Sequence, residues 1–184
     1  MNRSEQVILT LVMGVVVAGC SAGTVGVQDA AAAEYCTQKG GVVETRYPFY
    51  APNDPKPLQL SGSMQVCVFT SPADSTRILI ALDTLYTDQP TLAALAYRSQ
   101  TALVPGQSTG ANPSSLYCTQ LGGSDTFGGI NATGGGWGRD GATDVIAMCV
   151  FPDLSSIDSW GLTYHSEGTI RGADLTELIR YQSR

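Results

Sequence analysis

Hydrophobic and polar positions along the chain fall into short runs that occur in the same order twice. Ala30 to Ala33 leads into Tyr35-Cys36-Thr37-Gln38-Lys39 and halts at Gly40-Gly41. Alanine has the highest helix propensity and glycine is the usual residue just past a helix end, so the run predicts a short helix carrying Cys36. Val42 to Tyr47 and the valine-rich Ser63 to Thr70, which holds Cys67, predict the two strands of a hairpin. Pro48 to Gly62, with prolines at 48, 52, 55 and 57, predicts an irregular loop kept out of the sheet interior. Ile78, Leu82 and Leu85 then predict a second helix, and Pro90 to Arg98, with Leu92, Leu95 and Ala96 inward, a third.

Downstream the order returns. Asn112 is a capping residue, Pro113 suits the first helical turn, Ser114 to Leu121 continue, and Gly122-Gly123 terminate. Thr143 to Phe151 predicts a strand containing Cys149. Ile157, Trp160, Gly161 and Tyr164 have helical spacing, with Ser155 or Ser156 available as a cap and Trp160 inward. Asp174 to Tyr181 predicts a closing helix with Leu175, Leu178 and Ile179 inward, and Asp174 and Glu177 have the spacing of a capping box. The weak element is Ser124 to Gly141, whose glycine density favours a long loop or a twisted hairpin.

Glu34-Tyr35-Cys36-Thr37-Gln38-Lys39-Gly40-Gly41 and Leu116-Tyr117-Cys118-Thr119-Gln120-Leu121-Gly122-Gly123 are nearly the same words, and the interval from Cys36 to Cys118 is also that from Cys67 to Cys149. A tandem duplication follows. The expected fold class is α+β: two tandem small modules, residues 34–99 and 112–184, joined by a linker over 100–111. Each module is expected to run short helix, β-hairpin, helix, helix, with one internal disulfide.

Composition fits two half-size units and adds an address. The chain has 184 residues, 43% of them hydrophobic, and a net charge of −6 with lysine only at 39 and 56. Nucleic acid is excluded as a partner, because binding it needs basic surface. Residues 1–19 read as a secretory leader: Arg3 precedes an apolar run, Val7 to Ala18, too short to span a bilayer as a permanent helix. The leader ends at Val17-Ala18-Gly19-Cys20, which resembles the lipobox of bacterial lipoproteins, where the cysteine is acylated with chains such as palmitate. Residues 20–33 are then the lipidated cysteine and a tether, and acyl chains there anchor the protein to a membrane. Ser21 after the cysteine favours the outer membrane, at its periplasmic face or surface, in a bacterium with two membranes.

Without Cys20 an even set of cysteines remains, as expected of an exported chain where disulfides persist. A duplicated unit should carry its own staple, and the Cys36-to-Cys67 interval equals the Cys118-to-Cys149 interval, so the expected pairs are Cys36–Cys67 and Cys118–Cys149. Metal binding is disfavoured by the absence of C-x-x-C spacing and the single histidine. No metal site and no cofactor is expected.

The second copy resembles a known family. Asn112-Pro113-Ser114-Ser115-Leu116-Tyr117-Cys118-Thr119-Gln120-Leu121-Gly122-Gly123, then Met148-Cys149-Val150-Phe151-Pro152-Asp153 and Ser159-Trp160-Gly161-Leu162, are similar to the exported bacterial domain of unknown function 333, whose members carry a hemolysin label. The resemblance runs from Ala111 to His165 and reaches the first copy through Tyr35-Cys36, Gly40-Gly41 and Cys67-Val68-Phe69. It implies an envelope location and brings no catalytic residues. An acidic lipoprotein with no long apolar or amphipathic segment after its leader has no evident means of piercing a membrane.

Candidate chemistry is sparse. His165, two residues before Glu167, could serve as a general base, although no nucleophile can be paired with it. Asp140, Asp144, Asp153 and Asp158 could gather calcium, but their spacing matches no calcium loop and solvated turn aspartates explain them better. The glycine stretch lacks the Lys and Ser/Thr of a phosphate-binding loop. Trp137, with Arg139 and Asp140 beside it, is the candidate binding group: a tryptophan among glycines is either an exposed recognition anchor or a cover over a small core. The sequence thus favours a lipid-anchored, non-catalytic envelope protein that binds a protein, peptide or glycan. The alternatives are an inhibitor of a secreted lysozyme or protease, a hydrolase using His165, and an envelope spacer.

Overall fold

The computed structural model describes residues 25–51, 54–104, 112–125 and 135–181. The leader, Cys20 with the start of the tether, the later part of the linker and most of the glycine-rich stretch lie outside the described residues. The first copy contributes α1 (Val25–Gln38), β1 (Val42–Tyr50), β2 (Leu58–Gln59), β3 (Met64–Thr70), β4 (Arg77–Ala81), α2 (Leu82–Leu85) and α3 (Leu92–Ser99). The second contributes α4 (Pro113–Gln120), β5 (Ser124–Asp125), β6 (Gly136–Arg139), β7 (Thr143–Ile146), β8 (Met148–Val150), β9 (Ser156–Asp158) and α5 (Ser159–Ser166), with a 3-10 turn at Asp140–Ala142. The mixed helix-and-strand class is as expected, and so are both disulfides, Cys36–Cys67 and Cys118–Cys149, each spanning 31 residues.

The repeated words describe one local device. Gly40 and Gly122 take φ of 84° and 85°, the left-handed conformation that ends a helix at low cost only in glycine. Gly41 N–H then donates to Cys36 O at 2.9 Å and Gly40 N–H to Thr37 O at 3.0 Å. Gly123 and Gly122 repeat the pattern onto Cys118 O at 2.9 Å and Thr119 O at 3.0 Å. The second glycine of each pair has a different task. A Cβ on Gly41 or Gly123 would sit 2.9 Å from the sulfur of Cys36 or Cys118, and closer still to that of Cys67 or Cys149. The chain turns against its own disulfide where no side chain fits.

Strand pairing joins the two copies. The sheet runs β5-β8-β9-β4-β3-β1-β6-β7, with β2 attached to β1. All pairs are antiparallel, and one row of facing residues crosses the inter-copy seam: Val43, Cys67, Ile80, Ile157, Cys149, Asp125. Each cysteine strand thus faces an isoleucine, and the two isoleucines face each other where the copies meet. β7 closes the strand order at one end and β8 is next to last at the other, beside β5, yet the two are separated in the chain by Ala147 alone. The sheet must therefore curl until those ends come together.

Period-two alternation divides the curled sheet into two faces. Cys67, Phe69, Ile78, Ile80, Ile157 and Cys149 point to the helices and form the main core with Leu85, Tyr97, Tyr117, Leu162, Leu175 and Ile179. Val66, Val68, Leu79 and Met148 point the other way and are covered by Met64, Trp137, Ile146 and Val150. Gly161 of α5 allows the helix to lie on β4, since a Cβ there would come within 2.5 Å of Ile78 Cγ1.

Several sequence expectations are corrected. Residues 77–81 form a strand before the short α2, and Ile157 belongs to β9: the Ile78-Leu79-Ile80 run is buried on both faces of a central strand, which overrides its partial helical spacing. α5 is capped by Asp158, which accepts from Trp160 N–H at 3.0 Å. Ser155 is spent instead on the first copy, its hydroxyl accepting from Ala93 N–H of α3 at 3.0 Å. Thr143 to Phe151 is two strands, broken at Ala147 because the chain passes from one end of the curled sheet to the other. Pro48 lies in β1, where its carbonyl accepts from Leu60 N–H at 2.8 Å, so its missing N–H faces the loosely paired side.

In α3 the buried residues are Ala93, Ala94, Ala96 and Tyr97, whereas Leu92 and Leu95 are 42% and 44% exposed; the small alanines let the helix approach closely and Tyr97 fills the gap beyond. Asp174 to Tyr181 makes a single turn, Ile179 N–H to Leu175 O at 2.9 Å, although Leu175 and Ile179 are buried as expected. Its polar groups bond to the first copy instead: Arg180 N–H to Leu85 O, Tyr35 hydroxyl to Leu178 O and Arg98 to Thr176 O, each at 2.9 Å. The early linker is likewise pinned, with Tyr117 donating to Thr101 O at 2.6 Å and Gln120 to Ala102 O at 2.9 Å.

Candidate functional site

A cleft of about 660 Å³ opens at the end of the curled sheet where β3 and β9 begin and β4 ends. Trp137 and Met64, both half-buried against the second apolar cluster, give it an apolar wall, extended by Ala81 and Leu82. Thr45 and Gln65, cross-strand neighbours on β1 and β3, line it with Ser63 and Ser156, and among the described residues Asp83 contributes the one ionisable side chain. The Ser156 hydroxyl rests 3.4 Å from Met64 Sδ, while its N–H donates to Thr84 Oγ1 at 3.0 Å.

The three residues singled out around the glycine stretch do not converge. Trp137 pairs with Pro48 on one side and Ile146 on the other, so it both covers the second cluster and lines the cleft. Arg139 turns to Glu44, with its Nη2 at 2.5 Å from Oε1 and its Nε 3.2 Å from Oε2. Asp140 is exposed in the 3-10 turn, where its carbonyl accepts from Thr143 Oγ1 at 3.1 Å.

Arg139 belongs to a charge cluster that the sequence reading missed. Arg46, with a fully buried side chain, donates to Glu44 Oε2 at 2.6 Å and to Asp144 through its carbonyl at 2.7 Å and Oδ2 at 2.9 Å. Arg77 grips both oxygens of Asp144, through Nη1 to Oδ2 at 2.7 Å and Nη2 to Oδ1. Partial burial raises the Asp144 carboxyl, but hydrogen bonds from Arg77 and Arg46 outweigh it and hold the group below its ordinary range. Only Glu44 and Arg46, alternating in a strand of otherwise apolar surroundings, carried a sequence signal of this cluster.

The aspartates considered for calcium are scattered over separate tasks. Asp144 is in the arginine cluster, Asp153 accepts from Leu92 N–H of α3 at 2.8 Å, and Asp158 caps α5. Among the described residues no group of His, Cys, Asp or Glu is placed to hold a metal ion. Asp158 is buried and its carboxyl is pushed up to about 6 by desolvation, against the pull of the Gly161 and Trp160 N–H groups and of Arg171 and Arg77. It lines a smaller cavity of about 190 Å³ with those arginines and Trp160. Trp160, expected in the core, is half-buried there and packs on Tyr164 with ring centroids 5.6 Å apart.

His165 is 3% exposed and stacks on Tyr97, ring centroids 3.7 Å apart and nearly parallel, with Nε2 3.1 Å from Gln100 Nε2. Desolvation lowers its pKa, while Asp174 and the Tyr97 backbone pull it upward. It shares no hydrogen bond with a Ser, Thr or Cys side chain among the described residues, and Glu167 is exposed at the end of α5.

Among the described residues no helix is long and apolar enough to cross a membrane. Comparison of the chain with protein-family models, with curated proteins and with solved structures gives no match.

Proposed function

We propose that this chain is a lipid-anchored protein of the bacterial cell envelope that acts without catalysis, by binding a partner in the cleft around Trp137. The carrying observation is the cleft itself: a concavity within the volume range of small-ligand sites, with one tryptophan in its wall and several neutral hydrogen-bonding groups. The anchor is Cys20 of the lipobox, and Ser21 directs the protein to the outer membrane. Two disulfides that each close a long loop favour an oxidising compartment, in keeping with export. Kinship with the exported domain family 333 belongs to the same reading.

Pull-down from envelope extract with the full-length protein tests it. Trp137→Ala is expected to lose the bound partner and Trp160→Ala, outside the cleft, to retain it. Equal recovery from all three proteins removes the cleft as the binding site. Cys20→Ser is expected to release the protein from the membrane fraction, and its full retention there refutes the anchor.

A further inference from the structure

Taking the cleft as a binding site, the chemistry of its wall narrows what enters it. Among the described residues its polar side chains are the hydroxyls of Thr45, Ser63 and Ser156, the amide of Gln65 and the carboxylate of Asp83, and none is basic. An anionic ligand would meet Asp83 with no countercharge. Arg46, Arg77 and Arg139 are engaged with Glu44 and Asp144. A purely apolar ligand would strip water from the exposed Thr45 and Ser63 hydroxyls and the Gln65 amide without replacing their hydrogen bonds.

One ligand type satisfies both halves of the wall. A pyranose ring has an apolar C–H face that can lie on an indole, whose face carries negative quadrupole density. Its rim is made of hydroxyls that both donate and accept. Asp83 can accept from such hydroxyls, or from an amine carried by the sugar. We propose that the cleft binds a short oligosaccharide of neutral or amino-bearing hexoses that wraps the start of β3, with one ring stacked on Trp137 on one face of the sheet and the following rings hydrogen-bonded by Ser63, Thr45, Gln65 and Asp83 on the other.

The test uses the full-length protein in a detergent without a sugar headgroup. Probes are the tetramers of N-acetylglucosamine, glucosamine and β-1,4-glucose, with a sulfated oligosaccharide as the anionic comparison. In a Trp160→Phe background Trp137 is the one remaining tryptophan, so its emission and its quenching by acrylamide read the cleft directly. At least one uncharged or cationic tetramer is expected to shift that emission and reduce quenching saturably. Trp137→Ala is expected to weaken binding by calorimetry at least tenfold. Asp83→Asn should weaken the glucosamine tetramer more than the neutral ones. Trp137→Phe, which keeps a ring over the second cluster, is expected to keep the wild-type melting profile and to recover part of the affinity.

Absence of any saccharide effect at millimolar concentration, or a preference for the sulfated probe, overturns the assignment. If a Trp137-dependent partner is still recovered from envelope extract in that case, the saccharide class falls and the binding role stands. Loss of both results removes the two together.

Discussion

Gly122 and Gly123 are adjacent, yet alanine at each should act by a different physical route. A Cβ on Gly122 enters open space, so the cost there is the backbone conformation alone, about 1 to 2 kcal/mol for a non-glycine residue at φ of 85°. A Cβ on Gly123 would lie 2.5 Å from Cys149 Sγ, 2.9 Å from Cys118 Sγ and 3.3 Å from Cys118 O. Ordinary contacts of this kind need roughly 3.5–4.0 Å, so the disulfide or the helix end must move. Overpacking of that sort costs about 1–3 kcal/mol. If the bond fails to close, the cost rises toward the cross-link's own contribution, on the order of 3 to 4 kcal/mol for a loop of this size. The assay is a double-mutant cycle by urea unfolding, with each alanine introduced into the native chain and into a Cys118→Ala, Cys149→Ala background, alongside a free-thiol count. Gly123→Ala should lose at least about 1 kcal/mol of its penalty in the background lacking Cys118 and Cys149, whereas Gly122→Ala should change by less than about 0.5 kcal/mol, the scatter of independent sites. Equal penalties for Gly123→Ala in both backgrounds would refute the steric account.

Three further outcomes follow from the buried charges. Asp158 has a raised carboxyl, so its contribution to stability is fully present below about pH 4 and is lost as pH rises through about 6, on the order of 3 kcal/mol. Asp158→Asn, which keeps a capping side chain, should flatten that decline in urea midpoints measured from pH 4 to 7. His165 is depressed, so the sign is opposite: stability is lost as pH falls below the ordinary histidine value near 6.5. His165→Phe should preserve the stack on Tyr97 and reduce the loss between pH 7 and 5; an unchanged pH profile would count against a neutral buried imidazole. Arg46→Ala should destabilise the chain by about 3 kcal/mol, because it strips Glu44 and Asp144 of a fully buried partner, and Arg46→Met should cost less by keeping the volume. Comparable melting temperatures for wild type and Arg46→Ala would show the network to be energetically idle.

What the sequence determined by itself was the local and the repeated. The helix-ending words around Cys36 and Cys118, the Asn112-Pro113 start of α4 and the pairing of the cysteines could be read because each depends on residues a few positions apart, or on a duplication that copies its own spacing. Tertiary structure decided everything that one copy does to the other. Ile78 and Ile157 became strand residues because a seam between the copies buries both faces there, and Asp174 to Tyr181 gave up its helix because its polar groups found partners on the first copy. Ala147 breaks a strand only because the sheet curls, and that curl brings Trp137 to Met64, Asp144 to Arg46 and Arg77, and opens the cleft. Periodicity reports which positions are apolar, but the choice of partner across 60 to 100 residues is made by burial and hydrogen-bond satisfaction in the assembled sheet, which no window of the sequence contains.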